Sequence, residues 1–212
     1  WGVAWARTKN QRIAKTWVAD CGDPYFGNTL ESFRIPIYFA YIEKWFCRKA
    51  DFITIPFESL REKFFKEFHD KIRVIPQGFN FDELDICRKT VRNKIPTFAY
   101  AGGVALRGIR SPVKLIEYLL SLDREYKFHL FCTSGIELIA PYAIQSSGRI
   151  VLHNPIPRGE LISNLSKMDF LINLLAENSL SVQVPSKLID YALSGRPILN
   201  FCPQGSSYDI LN

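Results

Sequence analysis

Along this chain, short unbroken runs of apolar residues alternate with longer stretches in which apolar residues recur at helical spacing. The runs predict strands at 15–20, 51–56, 72–76, 97–101, 127–132, 149–153, 169–174 and 198–201. The periodic stretches predict helices over 34–49, 58–70, 112–122, 136–146, 157–167 and 186–194. Strands that are apolar throughout, rather than at every second residue, are buried on both faces. Regular alternation with helices then implies parallel sheets covered by helices, an α/β fold. The polar, mixed stretch 80–93 interrupts the alternation and marks a boundary between two α/β domains, 1–85 and 86–212.

One predicted helix is punctuated more clearly than the rest. Pro185 and Ser186 supply start chemistry, a preset φ and a capping hydroxyl. Gly195 suits a left-handed end, and Pro197 forbids continuation. Leu188, Ile189, Ala192 and Leu193 are read as its apolar face. Lys187, Asp190, Tyr191 and Ser194 are read as its polar face, with a Lys187–Asp190 surface pair as the plain alternative to a binding role. The helix starts beyond the predicted strand 169–174. In a parallel sheet that placement aims free N–H groups and a positive dipole end into the ligand crevice.

Other chemically able residues fall at strand carboxyl ends too. Asp23 follows the first strand, Gly102 and Gly103 follow 97–101, and Glu177 follows 169–174. The loop from Gly102 to Pro112 holds three glycines with Arg107 and Arg110. Such a loop brings backbone N–H groups close to a phosphate, with arginines to clamp it. A flexible tight turn is the alternative. Neither the dinucleotide fingerprint nor a Walker loop is present. Asp23, in Gly22-Asp23-Pro24, reads equally as a turn-forming residue before proline.

Composition narrows the class. Apolar residues make up 47% and charged residues 23% of 212, as in ordinary globular domains, and no run is long enough to span a bilayer. The chain opens on Trp1 without a cationic, apolar leader, which is read as a fragment of a longer protein and not as a secreted one. Five scattered cysteines without C-x-x-C spacing predict reduced thiols in the cytoplasm, and three histidines apart from them predict no metal site. The net charge of +6 points to an anionic partner. Dispersed basic residues without a nucleic-acid motif exclude nucleic acid. Aromatic residues among lysines in 34–49 and 58–70 predict peripheral attachment to an anionic membrane surface, on the inner face.

Ser186-Lys187-Leu188-Ile189-Asp190-Tyr191, followed by Gly195-Arg196-Pro197 between two buried strands, resembles the nucleotide-sugar segment of the GT-B glycosyltransferases, family four (group 1). Ile75-Pro76-Gln77-Gly78-Phe79-Asn80 resembles the I-P-N-G-V-D segment that closes that family's amino-terminal domain. The resemblance implies an incomplete acceptor-side domain followed by a Rossmann-like donor domain. It implies transfer of a sugar from a nucleotide diphosphate sugar to a glycan or lipid-linked acceptor, with retention and without a metal or resident cofactor. Asp190 takes the place of the second acid of the E-x7-E pattern, which holds the ribose. Val182 takes the place of the first, leaving Glu177 or Gln183 to supply a sugar contact. Arg110 falls at the family's diphosphate lysine and Gly103 at its arginine, with Arg107 as the substitute. Asp23 and Glu177 are the candidate catalytic carboxylates. Gly102, Gly103, Arg107, Arg110, Gln183, Ser186, Lys187 and Asp190 are the candidate donor ligands. A GT-B epimerase and a non-catalytic nucleotide-sugar-binding domain remain as alternatives.

Overall fold

Among the described residues every strand pairing is parallel. The structure, a computed structural model, describes residues 2–9, 14–22, 24–26, 36–76, 92–104, 111–175 and 185–201. The chain divides into two units, Trp1–Gly78 and Phe79–Asn212.

In the first unit, helix α1 (Gly2–Lys9) and helix α2 (Pro36–Lys49) accompany three strands. These are β1 (Val18–Asp20), β2 (Phe52–Ile55) and β3 (Ile72–Val74), in the order β1-β2-β3. One face of the sheet buries Ile53, Ile55 and Ile72, while Val18 and Phe52 stay exposed. Helix α2 turns Phe39, Glu43 and Cys47 inward at successive i, i+4 positions. β1 is shorter than the predicted 15–20, because Trp17 is drawn into a local exchange with Asp51. The Trp17 N–H donates to the Asp51 carboxylate at 2.7 Å, and the Asp51 N–H donates back to the Trp17 carbonyl at 3.0 Å.

The predicted helix 58–70 does not form. Two short 3-10 helices take its place, Glu58–Lys63 and Lys66–Lys71, parted where Phe64 and Phe65 adopt extended backbone. Packing explains the break. It lets Leu60, Phe64 and Phe68 all bury, at 1%, 5% and 5% exposure, while Phe65 stacks on Phe26. Burying each such side chain is worth about 1.5–3 kcal/mol, more than a few weakened helical hydrogen bonds. The Phe64 carbonyl is met by the His69 ring at 3.0 Å, and Arg61 donates to the His69 carbonyl at 2.9 Å, beside the Ile72 N–H.

The second unit is a five-stranded sheet, β4 (Thr97–Gly102), β5 (Lys127–Cys132), β6 (Ile150–His153), β7 (Phe170–Leu174) and β8 (Ile198–Phe201), ordered β6-β5-β4-β7-β8. Among the described residues four helices accompany it: α3 (Val113–Ser121), α4 (Ile136–Gln145), α5 (Arg158–Leu165) and α6 (Lys187–Ser194). Because the strands are buried on both faces, each face has its own core. Ile116, Phe128, Leu130, Ile139 and Ile172 form the one under α3 and α4. Ala99, Phe131, Leu165, Leu171, Leu188 and Tyr191 form the one under α5 and α6.

Candidate functional site

The order β6-β5-β4-β7-β8 reverses direction at β4. The chain builds outward on one side through β5 and β6, then returns to build outward on the other. Ligands of open α/β sheets bind at such a switch point, beyond the carboxyl ends of the strands. Here the seam between the two halves is visibly open. β4 and β7 pair only at Phe98↔Phe170 and Ala99↔Leu171. Farther along, the Tyr191 hydroxyl stands between them. It accepts from the Ala101 N–H at 2.9 Å and donates to the Ile172 carbonyl at 3.1 Å. Tyr191 is fully buried, and burial pushes its phenol well above the ordinary range.

That wedge revises the faces of α6. Leu188, Tyr191, Leu193 and Ser194 are buried, whereas Ala192 is exposed. Tyr191 and Ser194, expected on the polar face, therefore lie inside; the Ser194 hydroxyl is satisfied by the Tyr191 carbonyl at 2.7 Å. Lys187 also departs from the expected wet face. Its Nζ is buried and sits 4.0 Å from the centroid of the Tyr100 ring and 5.9 Å from that of Tyr191. Tyr100 belongs to the core under α3 and α4, so the ammonium reaches from α6 across the open end of the seam. A desolvated cation over an aromatic face gains about 2 kcal/mol.

The loop after β4 is fixed to the same place. The Tyr100 hydroxyl donates to the Gly103 carbonyl at 2.8 Å. The Thr133 N–H donates to the Gly102 carbonyl at 3.2 Å, and the Val104 N–H to that of Ser134 at 3.1 Å. Gly102 has φ +134°, which side chains rarely adopt. A Cβ on Gly103 would lie 2.8 Å from the Ser134 hydroxyl. The loop is thus a pinned turn, with backbone close to the crevice.

Asp190, in the first turn of α6, is held from the neighbouring helix. Arg158 opens α5, and its Nε and Nη2 lie 2.7 and 2.6 Å from Asp190 Oδ1. The arginine is 54% exposed and the aspartate 16%. The alternative Lys187–Asp190 pair is thereby replaced: the aspartate meets Arg158, while the lysine covers Tyr100. Ser186 is exposed and precedes α6 in αR conformation without a side-chain cap. The first turn is closed instead by backbone, Leu188 N–H to Pro185 and Ile189 N–H to Ser186, so the expected hydroxyl cap is absent.

Of the candidate ligands, Gly102, Gly103 and Lys187 converge at the seam. Ser186 and Asp190 stand at the start of the same helix. Asp23, Glu177, Arg107, Arg110 and Gln183 lie outside the described residues. Tyr100, Tyr191 and Arg158 are additions that the structure makes. Arg158 had one signal, a basic residue directly after Pro157 at the start of a helix that follows a strand.

In the first unit, the stretch beside Asp23 is anchored by Glu43. Its carboxylate accepts from the N–H groups of Phe26 and Tyr25, and burial pushes its pKa up. Burial, with Glu43 beside them, pushes the thiols of Cys21 and Cys47 up to about 12, which leaves them unreactive. On β5 and β6, His129 Nδ1 and His153 Nε2 share a hydrogen bond at 2.8 Å. Burial, then His153 and Lys127, bring His129 down to about 4.

No protein-family model and no curated protein matches the chain. Solved structures do. The chain is similar to Anabaena Alr3699/HepE in complex with UDP, at 11% identity and a TM-score of 0.66, over 99% of this chain and 64% of that one. Sucrose-phosphate synthase from Thermosynechococcus elongatus follows at 13% identity and a TM-score of 0.64, over 93% and 53%. The lipopolysaccharide outer core galactosyltransferase WaaB, in apo form, is similar at 16% identity and a TM-score of 0.57, over 82% and 50%. The chain therefore spans between 50% and 64% of the length of these proteins. The likeness shows the fold: α/β with parallel sheets, of the GT-B type.

Proposed function

We propose that the second unit binds the nucleotide diphosphate sugar donor of a glycosyltransferase, and that the intact protein transfers the sugar to a glycan or lipid-linked acceptor. The observation that carries this reading is the Lys187 ammonium at the open end of the β4–β7 seam, beside a pinned Gly102-Gly103 turn and the start of α6. A buried cation, backbone approach and a helix start together suit a diphosphate. Two of the similar structures, of Anabaena HepE, hold UDP or UDP-glucose, which supports a nucleotide-sugar ligand.

The chemistry follows from charge. As the bond from the sugar to the diphosphate breaks, positive charge grows on the ring and negative charge on the leaving phosphate. Lys187 lowers the barrier by meeting the second of these, with the positive end of the α6 dipole behind it. Arg107 and Arg110, by the family resemblance, add to the same charge. Asp190 accepts a ribose hydroxyl and fixes the nucleotide. Retention and independence of a metal ion belong to this reading through the family resemblance, as does an acceptor-side role for the first unit with Asp23 near the acceptor.

The test is a panel of sugar nucleotides read by thermal shift, followed by release of free nucleoside diphosphate with acceptor present. Stabilisation with turnover supports a transferase. Stabilisation without turnover would reduce the protein to a binder, and sugar inversion without acceptor would make it an epimerase.

A further inference from the structure

Tyr100 links the two parts of the crevice that a diphosphate would meet, the turn after β4 and the cation of α6. It is fully buried, in the core under α3 and α4. Its ring carries the Lys187 ammonium at 4.0 Å, and its hydroxyl donates to the Gly103 carbonyl at 2.8 Å. Both contacts bear on where positive charge points. The Gly102–Gly103 peptide is trans, so its carbonyl and its N–H point in opposite directions. That carbonyl accepts from Thr133, just past β5, so the Gly103 N–H points to the other side of β4, where β7 lies. The next peptide is fixed at both ends. Its carbonyl takes the Tyr100 hydroxyl, and its N–H, that of Val104, donates to Ser134. Glycine places little restraint of its own on the backbone. The direction of the turn therefore depends on the bonds made around it, and rotation would aim a carbonyl, not an N–H, at the seam. The ring acts on the other partner. An ammonium taken out of water needs compensation, and an aromatic face holds the charge without neutralising it.

We propose that Tyr100 is a positioning residue for the diphosphate: its hydroxyl sets the direction of the Gly102–Gly103 turn, and its ring sets the place of the Lys187 ammonium. This rests on the reading of the crevice as a nucleotide-sugar site. It assigns the alignment of that site to one core side chain that acts through the turn and the lysine.

The experiment uses the intact protein and calorimetry with UDP, GDP and ADP, each against its nucleoside. The readout is the preference for diphosphate over nucleoside within one variant, so a general loss of stability does not imitate the effect. Tyr100→Phe keeps the ring and drops the hydroxyl, whereas Tyr100→Leu drops both. The preference should fall by about threefold or more in Tyr100→Phe and by about tenfold or more in Tyr100→Leu. In a Lys187→Met background the Phe change should cost the same factor, because it acts through the turn. The further loss from Phe to Leu should vanish there, because the ring acts through the lysine. Where Tyr100→Leu does not fold, the Phe variant decides alone. The assignment is wrong if Tyr100→Phe leaves the preference unchanged, if diphosphate and nucleoside weaken in parallel, or if removal of the ring strengthens diphosphate binding. If Lys187→Met lowers a preference that both Tyr100 variants keep, the nucleotide reading stands and only the role of Tyr100 falls. If no nucleoside diphosphate binds wild type, both fall.

Discussion

Replacing Tyr191 with phenylalanine removes one oxygen and tests how the crevice is held open. The ring still fills its place, so little apolar contact is lost. The Ala101 N–H and the Ile172 carbonyl lose their common partner in a site with no exposure. A buried backbone group left unsatisfied costs about 1–3 kcal/mol, so the pair should cost about 2–6 kcal/mol. At about 2–4 °C per kcal/mol for a chain of this size, the melting temperature should fall by about 4–24 °C. Urea unfolding gives the free energy, and hydrogen exchange at the Ala101 amide reports the local event, since that proton should lose protection more than its β5 neighbours. A variant within about 0.5 kcal/mol of wild type, with the Ala101 amide as protected as before, would refute the reasoning. It would mean that β4 and β7 close on each other once the hydroxyl is gone.

Four further expectations follow from other residues. Lys187→Met keeps an apolar stem over Tyr100 but no charge, so binding of nucleoside diphosphates should weaken by about tenfold or more while nucleosides are unaffected, as calorimetry would show. Glu43→Gln should leave stability at neutral pH unchanged or raised, whereas Glu43→Ala should cost about 1–3 kcal/mol by orphaning the Phe26 N–H. Because burial raises the Glu43 pKa above 4.5, folded protein binds the extra proton, and wild-type stability should decline as pH rises through that window, a slope absent from the Gln variant. His129 titrates near 4 when folded and 6.5 when unfolded, so stability should fall as pH drops from about 6.5 to 4. The full shift corresponds to about 3 kcal/mol, reduced to roughly 1–2 by partial exposure, and His129→Gln should flatten it in melting curves. Ile37, Tyr38 and Tyr41 are exposed on α2 while Phe64 and Phe68 are buried, so any co-sedimentation with anionic vesicles at low salt should fall when the α2 residues are replaced by serine.

The fold was largely legible because burial on both faces writes itself into sequence as unbroken apolar runs. β5 and β8 occupy their predicted residues, and the other strands shift by a few positions at their ends. Helix 58–70 failed because spacing alone could not weigh three phenylalanines that pack better across a break. The faces of α6 failed for a related reason. Tyrosine is read as polar by its hydroxyl, yet at position 191 the ring enters a core and the hydroxyl serves the backbone. Lys187 followed the same logic, with an aromatic surface in place of water around its charge. Arg158 carried only the faint signal of a basic residue after Pro157, because its meaning comes from Asp190, on another helix. By contrast, Gly195 ends α6 with φ +66°, a local need that one residue can announce.

The open seam has a consequence for the order in which this protein assembles. The strands described in both sheets pair in parallel, so none of these pairs forms through a hairpin, and each must wait for a crossover to close. The wait is longest where β4 meets β7: the Thr97 N–H bonds the Asp169 carboxylate across 72 residues. Non-local pairings of this kind slow folding and are completed late. The halves of the second unit can therefore collapse before they are joined, and Tyr191 is the bolt that goes in at the end. A ligand that recognises the joined halves binds only the finished state, so its presence during synthesis or refolding should raise the yield of folded protein by mass action.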